Sequence, residues 1–444
     1  MTIYKLGEIA TVEISGVDKK IKDGEIPVKL CNFVDVYYNW AITSDLEQKF
    51  MEATARTNEI ERFKLKRGQV ALTKDSKTRF DIGIATYIAD DFDNVILGYH
   101  NALITPNPEK LSGKYLNALL HTDYARTYFA NNASGSGQRY ALSIDALNNF
   151  PVPLLPLAEQ ERIGDIFSSI DQKIALNRAI NDNLEAMAKQ LYDYWFVQFD
   201  FPNEEGKPYK SSGGKIVWND KLKRKIPAIF KASFLGELCC FRNGINYAKD
   251  EIGEQFEIIN VRNISSSKIL LDGESFDTIS VPASRAGNYI VKDNDIIIAR
   301  SGCPGSTRLL LSPSNILFCG FIICCTPNEP VMRSYLTYCL KQLEGTSATT
   351  SGGSILQNVS QDTLKSLCVA QPTIDVLEKF NDTISSLFTR MLNCLTENKM
   401  LIKQRDDLLP LLMNGQVSVN YHLSVLQVVA NIGKSFILSL SFSS

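Results

Sequence analysis

The chain has 444 residues, of which 44% are hydrophobic and 22% charged, with a formal net charge of −2 and a pI of about 6.1. This length and composition are typical of about two to four globular domains and exclude a disordered chain. The near-zero net charge excludes a uniformly basic protein, so any contact with nucleic acid has to come from local patches.

Cysteine usage and the N-terminus bear on the compartment. Ten cysteines stand beside only three histidines, and no Cys-x-x-Cys pair occurs, which argues against a structural zinc site. The adjacent pairs Cys239-Cys240 and Cys324-Cys325 are poor disulfide partners, so we expect reduced thiols. Met1 to Lys5 lacks the apolar run of a signal peptide, and no stretch of about eighteen apolar residues occurs. A cytoplasmic protein without a membrane segment is therefore expected.

Short strings recur along the chain in the same order, which indicates an internal duplication. The repeated pairs are Leu6–Ile9 with Leu235–Leu238, Leu30–Phe33 with Val261–Ile264, and Phe63–Val70 with Tyr289–Ile296. Glycine-rich loops recur as well, at Ser134–Gln138 and Ser351–Ser354. We predict two related halves that have diverged.

Each half is predicted to be mixed α and β. Runs such as Val70–Leu72 and Ile296–Ile298 predict strands, and short helices are expected near Tyr115–Leu119 and Tyr335–Leu340. The prolines and glycines between Pro202 and Gly214 predict a linker between the halves.

A long helix is predicted after each half, because apolar positions alternate at spacings of four and three, as in coiled coils. In the first helix these positions are Ile163, Phe167, Ile170, Ile174, Asn177, Asn181, Leu184, Ala188, Leu191 and Trp195. In the second, each 217 residues later, they are Phe380, Ile384, Leu387, Met391, Cys394, Asn398, Leu401, Arg405, Leu408 and Leu412.

The ends and pairing of these helices follow from prolines and asparagines. Prolines at 151, 153, 156 and 372 precede the two helices, and Pro410 is expected to kink or stop the second. The first should run from Ala158 to about Trp195, roughly 57 Å at 1.5 Å per residue. Asn177, Asn181 and Asn398 at core positions would fix the register of an antiparallel coiled coil, with Asn177 near Asn398. The alternative is that each helix packs only on its own domain.

Several strings resemble the specificity (S) subunits of type I restriction–modification systems. They are PLAEQERI from Pro156, IDQKI from Ile170, NDNLEAMA from Asn181, LYDYWFV from Leu191 and LLPLLMNG from Leu408. Together with the duplication they cover roughly residues 1–419. Ile374–Glu378 departs from the proline-flanked Glu-Gln motif in the second helix, and the tail after Val419 lies outside the pattern.

This resemblance implies an α+β architecture in which two mixed α/β target-recognition domains alternate with two long helices. The implied divisions are a first recognition domain at 1–155, a first conserved helical region at 156–200, a linker and second recognition domain at 201–371, a second helical region at 372–415, and a tail at 416–444. The implied function is a non-catalytic subunit that reads a split, asymmetric double-stranded DNA target and recruits methyltransferase (M) and restriction (R) subunits. S-adenosylmethionine, ATP and Mg²⁺ would then belong to the partner subunits.

Candidate DNA contacts are basic and amide side chains beside the loops that recur in the two halves. Arg and Lys can bind guanine edges or phosphates, and Gln and Asn suit adenine edges. The candidates are Lys74, Lys77, Arg79, Gln138, Arg139 and Tyr140 in the first half, and Arg300, Arg308, Gln357 and Asn358 in the second. Solvated charges and turn hydrogen bonds are the plainer interpretation. The basic run from Lys207 to Lys231 is a further candidate for phosphate contact.

Two other functional classes stay open. Asp200, Glu205 and Lys207 have the outline of a metal-dependent nuclease motif, although they lie in a predicted linker and no phosphate-binding loop or amino-methyltransferase motif accompanies them. The second alternative is a coiled-coil scaffold that binds other proteins and never contacts DNA.

Overall fold

A computed structural model describes residues 2–136, 139–248, 251–271, 276–342, 344 and 358–413. Its contacts divide the chain into two compact units. The first unit comprises the described residues of 1–176 and 400–444, and the second those of 177–399. The tail predicted at 416–444 lies outside the described residues. No helix in the described part of the chain is long and apolar enough to cross a lipid bilayer.

The first unit is built from short strands and short helices. Its strands are Thr2–Lys5, Ala10–Ile14, Ile26–Cys31, Ala41–Ile42, Met51–Ala55, Val70–Thr73, Asp75–Ser76, Ala85–Ile88, Val95–Leu97, Asn101–Pro106, Ser134–Ser136, Arg139–Ala141 and Pro151–Leu154. Its helices, besides parts of the two long ones, are Leu6–Ile9, Phe33–Tyr38, the 3₁₀ helix Ser44–Lys49, Thr57–Phe63, Gly113–Leu120, Asp123–Asn132 and Ile144–Asn148.

The central sheet of the first unit has five strands, and hydrophobic side chains cover its faces. The strand order is Ala10–Ile14, Asn101–Pro106, Val70–Thr73, Ala85–Ile88 and Ala41–Ile42. Val70 to Thr73 is buried at every position, as expected for a strand covered on both faces. A second sheet pairs Ile26–Cys31 with Met51–Ala55 and Val95–Leu97.

The second unit repeats this plan with fewer strands. Its strands are Ile216–Asn219, Arg224–Pro227, Lys231–Phe234, Cys239–Asn243, Glu254–Ile259, Asp277–Val281, Ile296–Ala299, Thr307–Arg308, Ile316–Phe318, Ile322–Pro327 and Cys368–Gln371. Its short helices are Leu235–Leu238, Val261–Ser266, Ala283–Ala286, Gly287–Tyr289, Pro330–Met332, Arg333–Gln342 and Gln361–Lys365, of which Gly287–Tyr289 and Pro330–Met332 are 3₁₀ helices.

The central sheet of the second unit has four strands, which match the first four strands of the five-stranded sheet in order. Its order is Cys239–Asn243, Ile322–Pro327, Ile296–Ala299 and Thr307–Arg308. The short helices predicted near 115–119 and 335–340 are present, as Gly113–Leu120 and Arg333–Gln342. The ten cysteines are all free thiols.

One of the repeated strings was aligned wrongly from the sequence. Asn32 precedes the helix Phe33–Tyr38, and its backbone N–H donates to Asp35 at 2.7 Å. In the second unit the same place before a helix belongs to Asn260, whose N–H donates to Asn263 at 2.7 Å. Asn32 therefore corresponds to Asn260 and not to Asn263, because the asparagine before the helix is the one that the backbone geometry repeats.

The first long helix is confirmed. It runs as an α-helix over Leu157–Tyr192 and ends in a turn of π-helix, Asp193–Val197. The second runs over Ile374–Met413 with Pro410 inside it, so it continues past the proline that was expected to kink or stop it. A proline near a helix end removes only one of the last backbone hydrogen bonds, which limits its effect.

Both long helices contribute to the two cores. In the first unit Ile163, Phe167 and Leu401 are buried in the cluster that covers the central sheet. The long helix approaches the helix Gly113–Leu120 closely at Gly164. Glycine is needed there, because the Cβ of any other residue would lie 2.5 Å from the Cβ of Lys114. In the second unit, aromatic and aliphatic residues of both helices are buried against the sheet. They are Leu184, Ala188, Tyr192, Trp195, Leu377, Phe380, Ile384 and Met391.

Within the second unit, polar residues of the two helices bind one another. The Asn177 side-chain amide donates to the Asn398 side-chain oxygen at 3.0 Å and to Glu397 at 2.8 Å. Asn181 donates to the backbone oxygen of Met391 at 3.3 Å. Asn177 and Asn398 are both buried, and the side-chain oxygen of Asn398 depends on Asn177 for its hydrogen bond.

Replacing one member of this pair should cost more stability than replacing both. Asn177→Leu leaves the buried Asn398 without its partner, which costs about 1–3 kcal/mol, whereas Asn177→Leu with Asn398→Leu removes both polar groups. Thermal unfolding of the full chain should show a lower midpoint for the single variant and partial recovery for the double one. Asn183→Leu, at an exposed position of the same helix, is the control. A double variant as unstable as the sum of two singles contradicts this account.

A half-buried histidine of the first unit is expected to make its stability depend on pH. His121 stacks on the indole of Trp40 at 4.2 Å, and its Nδ1 lies 2.8 Å from the backbone oxygen of Asn117. Burial, helped by the charge of Arg405, lowers the pKa of His121 from 6.5 to about 4. The unfolded state therefore binds a proton more readily than the folded state between these values.

Stability should thus fall as the pH is lowered from about 6.5 to 4. In His121→Phe the ring stack on Trp40 is kept but the titrating group is gone, so this part of the pH dependence should disappear. Unfolding midpoints of both proteins across this pH range provide the measurement. Parallel curves for the two proteins would rule out His121 as the source.

Candidate nucleic-acid interface

The predicted contact residues of the first unit lie where the buried strand Val70–Thr73 leaves the central sheet. We call residues 74–79 the basic loop. The N–H of Lys74 donates to the His100 backbone oxygen at 2.9 Å, and its own backbone oxygen accepts from the Leu142 N–H at 2.8 Å. Lys77 and Arg79 are exposed. The loop is thus anchored at its start by two neighbouring chain segments and is open to solvent beyond.

A glycine-rich hairpin lies beside the basic loop. Its strands, Ser134–Ser136 and Arg139–Ala141, pair antiparallel, and the second also pairs with Asp75–Ser76 of the basic loop. Tyr140 lies opposite Ser76, and the guanidinium of Arg79 lies 5.1 Å above the Tyr140 ring. Such a contact holds a cation against an aromatic face. The structure therefore brings Lys74, Arg79, Arg139 and Tyr140 together.

A buried carboxylate joins these groups. Asp75 is 7% exposed, and its carboxylate lies 3.3 Å from Lys74 Nζ, 2.6 Å from His100 Nδ1 and 3.2 Å from Arg139 Nη2. Burial alone would raise the pKa of Asp75, but the hydrogen bond with His100 and the charges of Lys74 and Arg139 outweigh it and lower the pKa. The carboxylate is therefore ionised at neutral pH.

Aromatic side chains border the same surface. An open groove of about 510 Å³ is lined by Phe33, Val34, Tyr37, Tyr38, Asp75, Ser76, Lys77, Asp81, His100 and Arg139. The Tyr37 hydroxyl donates to Asp81 at 2.7 Å, and this bond raises the pKa of Tyr37 to about 12. Tyr38 is 74% exposed and Phe80 is 87% exposed. Trp40, in contrast, is buried in the core, as most aromatic residues are.

The second unit has the same backbone frame. The N–H of Arg300 donates to the Phe321 backbone oxygen at 2.8 Å, and the Arg300 oxygen accepts from the Val359 N–H at 2.9 Å. Lys74 and Arg300 thus occupy equivalent positions. The half-buried Arg300 side chain forms no hydrogen bond or ion pair with the described residues. Asn358, which directly precedes Val359, is exposed.

Known proteins similar to this chain are DNA specificity proteins of type I restriction systems. The family model for the type I restriction modification DNA specificity domain matches residues 1–186. The type I restriction enzyme MjaIX specificity subunit of Methanocaldococcus jannaschii is 24% identical over 430 residues, covering 94% of this chain and 93% of that protein. The chain is therefore similar to type I restriction–modification specificity subunits, through the family model over residues 1–186 and through this relative over nearly its whole length.

Further relatives agree with this family. The HindI specificity subunit of Haemophilus influenzae is 22% identical over 397 residues, covering 77% of this chain and 85% of that protein. The crystal structure of the S subunit of a type I restriction–modification system from M. genitalium matches with a TM-score of 0.52 at 14% identity, covering 93% of this chain and 95% of that one. This last similarity concerns the fold alone.

Not every predicted DNA contact of this chain faces solvent. Arg308 is 6% exposed; its guanidinium donates to the backbone oxygens of Ile264 and Ser267 at 3.0 and 2.8 Å, and to Glu344 at 2.9 Å. In its strand Arg308 lies opposite Ile297, as Thr86 lies opposite Ala71, so it corresponds to Thr86 and not to a residue of the basic loop. Its donors are used inside the second unit. Gln138 and Gln357 lie outside the described residues.

The outlined nuclease motif is not assembled as a metal site. Both carboxylate oxygens of Asp200 accept hydrogen bonds from Ser211, at 2.7 Å each, while Glu205 and Lys207 form an exposed ion pair at 2.9 Å. No group of three or more metal-binding side chains occurs in the part of the chain that the structure describes. The basic run from Lys207 to Lys231 includes the hairpin of Ile216–Asn219 and Arg224–Pro227, in which Trp218, Arg224 and Lys225 are exposed and Ile226 and Pro227 are buried.

The sequence prediction missed Asp75 and His100 as parts of this surface. Asp75 lies inside the basic loop, but an acidic residue among lysines was not a candidate for a DNA contact. His100 has a positive φ of 70°, an uncommon conformation for a residue other than glycine that is held here by surrounding structure. Only the pairing of strands that are distant in sequence shows that the two side chains meet.

Proposed function

We propose that this chain reads a split, asymmetric DNA target and recruits methyltransferase and restriction subunits to it. Each unit reads one half of the target, and the long helices serve as spacer and docking surface. The divisions at 1–155, 156–200, 201–371 and 372–415 are the functional segments. The chain itself is non-catalytic and acts in the cytoplasm, with S-adenosylmethionine, ATP and Mg²⁺ bound by its partners.

The observation that carries this proposal is the shared backbone frame around Lys74 and Arg300. Both residues follow the buried strand of a central sheet and bind the same two neighbouring segments through their backbone. A basic side chain at the same place in both units supports the same use, contact with DNA. The names of the relatives, all specificity subunits of type I restriction enzymes, agree with it.

Two unlike half-sites follow from the side chains on this common frame. His100 of the first unit is replaced by Phe321 in the second, and Asp75 by Ser301. The helix that carries Phe33 and Tyr37 in the first unit carries Val261 and Ser265 in the second. Surfaces with different donors, acceptors and aromatic groups select different base sequences.

The pairing of the long helices as an antiparallel coiled coil is part of the proposal. Asn177 binds Asn398, and Asn181, further along the first helix, binds Met391, which comes earlier in the second. This opposite order is that of antiparallel segments. The core positions with described side chains are buried or half-buried in both helices, which supports a continuous apolar stripe on each.

Charge reversal at Arg300 should weaken DNA binding through the loss of a phosphate or base contact. For Arg300→Glu we expect lower affinity of the assembled complex, and a decrease of about 0.9 in the slope of log affinity against log salt concentration if one phosphate contact is lost. Lys110→Glu, in the first unit, is the charge-reversal control. Lys110 is exposed and follows Pro106, so it lies at the opposite end of the strand Asn101–Pro106 from His100 and the candidate interface. Unchanged affinity for Arg300→Glu would favour the scaffold that never contacts DNA.

Exchange of the first recognition domain should change one half of the target only. The exchanged segment is 1–155, because Thr2–Lys5 pairs with Pro151–Leu154 and both strands have to travel together. The hybrid is expressed with the methyltransferase subunit of its system, and methylated adenines are mapped across the host genome. We expect one split motif with one new and one original half. A change in both halves would contradict the modular arrangement.

A further inference from the structure

We propose that Arg139 reads a guanine in the half-site bound by the first unit, and that Asp75 and His100 position it. This inference rests on the proposed function and adds the base, the reading residue and the groups that orient it. Arg139 touches DNA in this proposal, whereas Asp75 and His100 act through Arg139.

The location of Arg139 suits a contact with a base edge. It opens the second strand of the glycine-rich hairpin, directly opposite Ser136. Asp75–Ser76 pairs with Tyr140 and Ala141 but not with Arg139, so the hairpin is two-stranded at Arg139. A two-stranded ribbon is narrow enough to enter the major groove of B-DNA, where base edges differ most. The Arg139 side chain is 58% exposed, so part of its guanidinium remains available to a ligand.

Asp75 and His100 restrain the guanidinium of Arg139. Nη2 lies 3.2 Å from the Asp75 carboxylate, 2.5 Å from His100 Nδ1 and 3.2 Å from His100 Nε2. Asp75 is buried and fixed by its strand pairing, and His100 Nδ1 lies 2.6 Å from the same carboxylate. An arginine restrained in this way has lost part of its rotamer freedom before DNA binds, which lowers the entropy cost of a specific contact.

Guanine is the base that fits this arrangement. Its major-groove edge presents two acceptors, O6 and N7, which match two parallel N–H donors of one guanidinium. Adenine presents a donor beside its acceptor, and cytosine presents a donor, so either would face an N–H group with another N–H group. Because Asp75 occupies only Nη2, the remaining N–H groups of Arg139 can form this pair.

The neighbouring cations are less suited to the same task. Lys74 is bound to Asp75 and its side chain is only 20% exposed. Arg79 packs over the Tyr140 ring. Lys77 is exposed without a hydrogen bond or ion pair to the described residues, and its ammonium is a point charge suited to a phosphate. The second unit has Ser301 and Phe321 at the places of Asp75 and His100, so it lacks this orienting group.

The test compares methylation motifs of variants of the full chain, each co-expressed with the methyltransferase subunit of its system. Arg139→Lys keeps the charge but loses the paired donors, so one G·C position in one half-site should lose its preference by about tenfold to hundredfold. Asp75→Asn should relax the same position to a smaller extent, because the arginine remains but is less well held. Lys77→Ala, the control, should lower methylation uniformly and leave the motif unchanged. Thermal unfolding shows whether each variant is folded.

The outcomes separate this inference from the function on which it rests. If the wild-type chain gives a split motif and Arg139→Lys leaves every position unchanged, or relaxes a position that is not a guanine, the assignment of Arg139 is wrong. Relaxation in both half-sites would also overturn it. If a folded wild-type complex gives no sequence-specific methylation, the proposed function itself fails. Should Asp75→Asn keep full discrimination while Arg139→Lys loses it, Arg139 stands as the reader but the positioning role of Asp75 is overturned.

Discussion

The burial of one apolar stripe along each long helix is the constraint on which the rest of the molecule depends. Neither central sheet is covered by its own short helices alone. In the first unit Ile163, Phe167 and Ile170 complete the cluster over the sheet, and in the second Leu184, Tyr192 and Trp195 do the same. Because a helix has one such stripe, the spacing of four and three has to persist along its whole length. A change of register would remove hydrophobic contacts from both cores.

Polar residues within this stripe have a different role. A stripe made only of aliphatic residues would pack in several registers with similar energy, and Asn177 opposite Asn398 disfavours the others, since each shift leaves a buried amide without a partner. The aromatic cluster of Tyr192, Phe196 and Phe380, which includes edge-to-face contacts at 4.9 and 6.5 Å, fills the wider space where the helix ends. The position of the helices in the second unit is thus specified by hydrogen bonds as well as by shape.

Much of the fold could be predicted because it depends on local patterns. Helical spacing, prolines before helices and β-branched runs predicted both long helices and the central strands. The errors occurred where several alignments fit equally well. Asn32 was matched to Asn263 because both precede an apolar residue, and only the backbone hydrogen bonds select Asn260. Pro410 was expected to kink or stop the helix, because sequence alone does not show that tertiary contacts of Leu401 and Leu409 support the helix around it.

The candidate site was harder to predict for the same physical reason. Lys74 and Arg300 were found because they lie next to a buried strand, a position that a repeat preserves. Arg308 was misjudged because an arginine in a two-residue strand looks like a surface charge until its carbonyl partners, 41 and 44 residues away, are known. Asp75, His100 and Arg139 meet only through the pairing of three separate strands.

The division between buried frame and exposed loop explains how one architecture can present two different surfaces. The backbone hydrogen bonds of Lys74 and Arg300 involve no side-chain atoms, so residues with other side chains can form them as well. Inside the sheet the identity of the side chain does matter. Thr86 and Arg308 occupy equivalent positions in the two units but differ in volume, and the larger arginine is bound by the backbone oxygen of Ile264 and by Glu344. A new side chain in the core therefore requires compensation by its neighbours, whereas a new side chain at the loops changes mainly what is presented to solvent. Sequence divergence between the units is for this reason compatible with an unchanged sheet order, and the chemistry facing solvent can differ wherever the backbone alone sets the position.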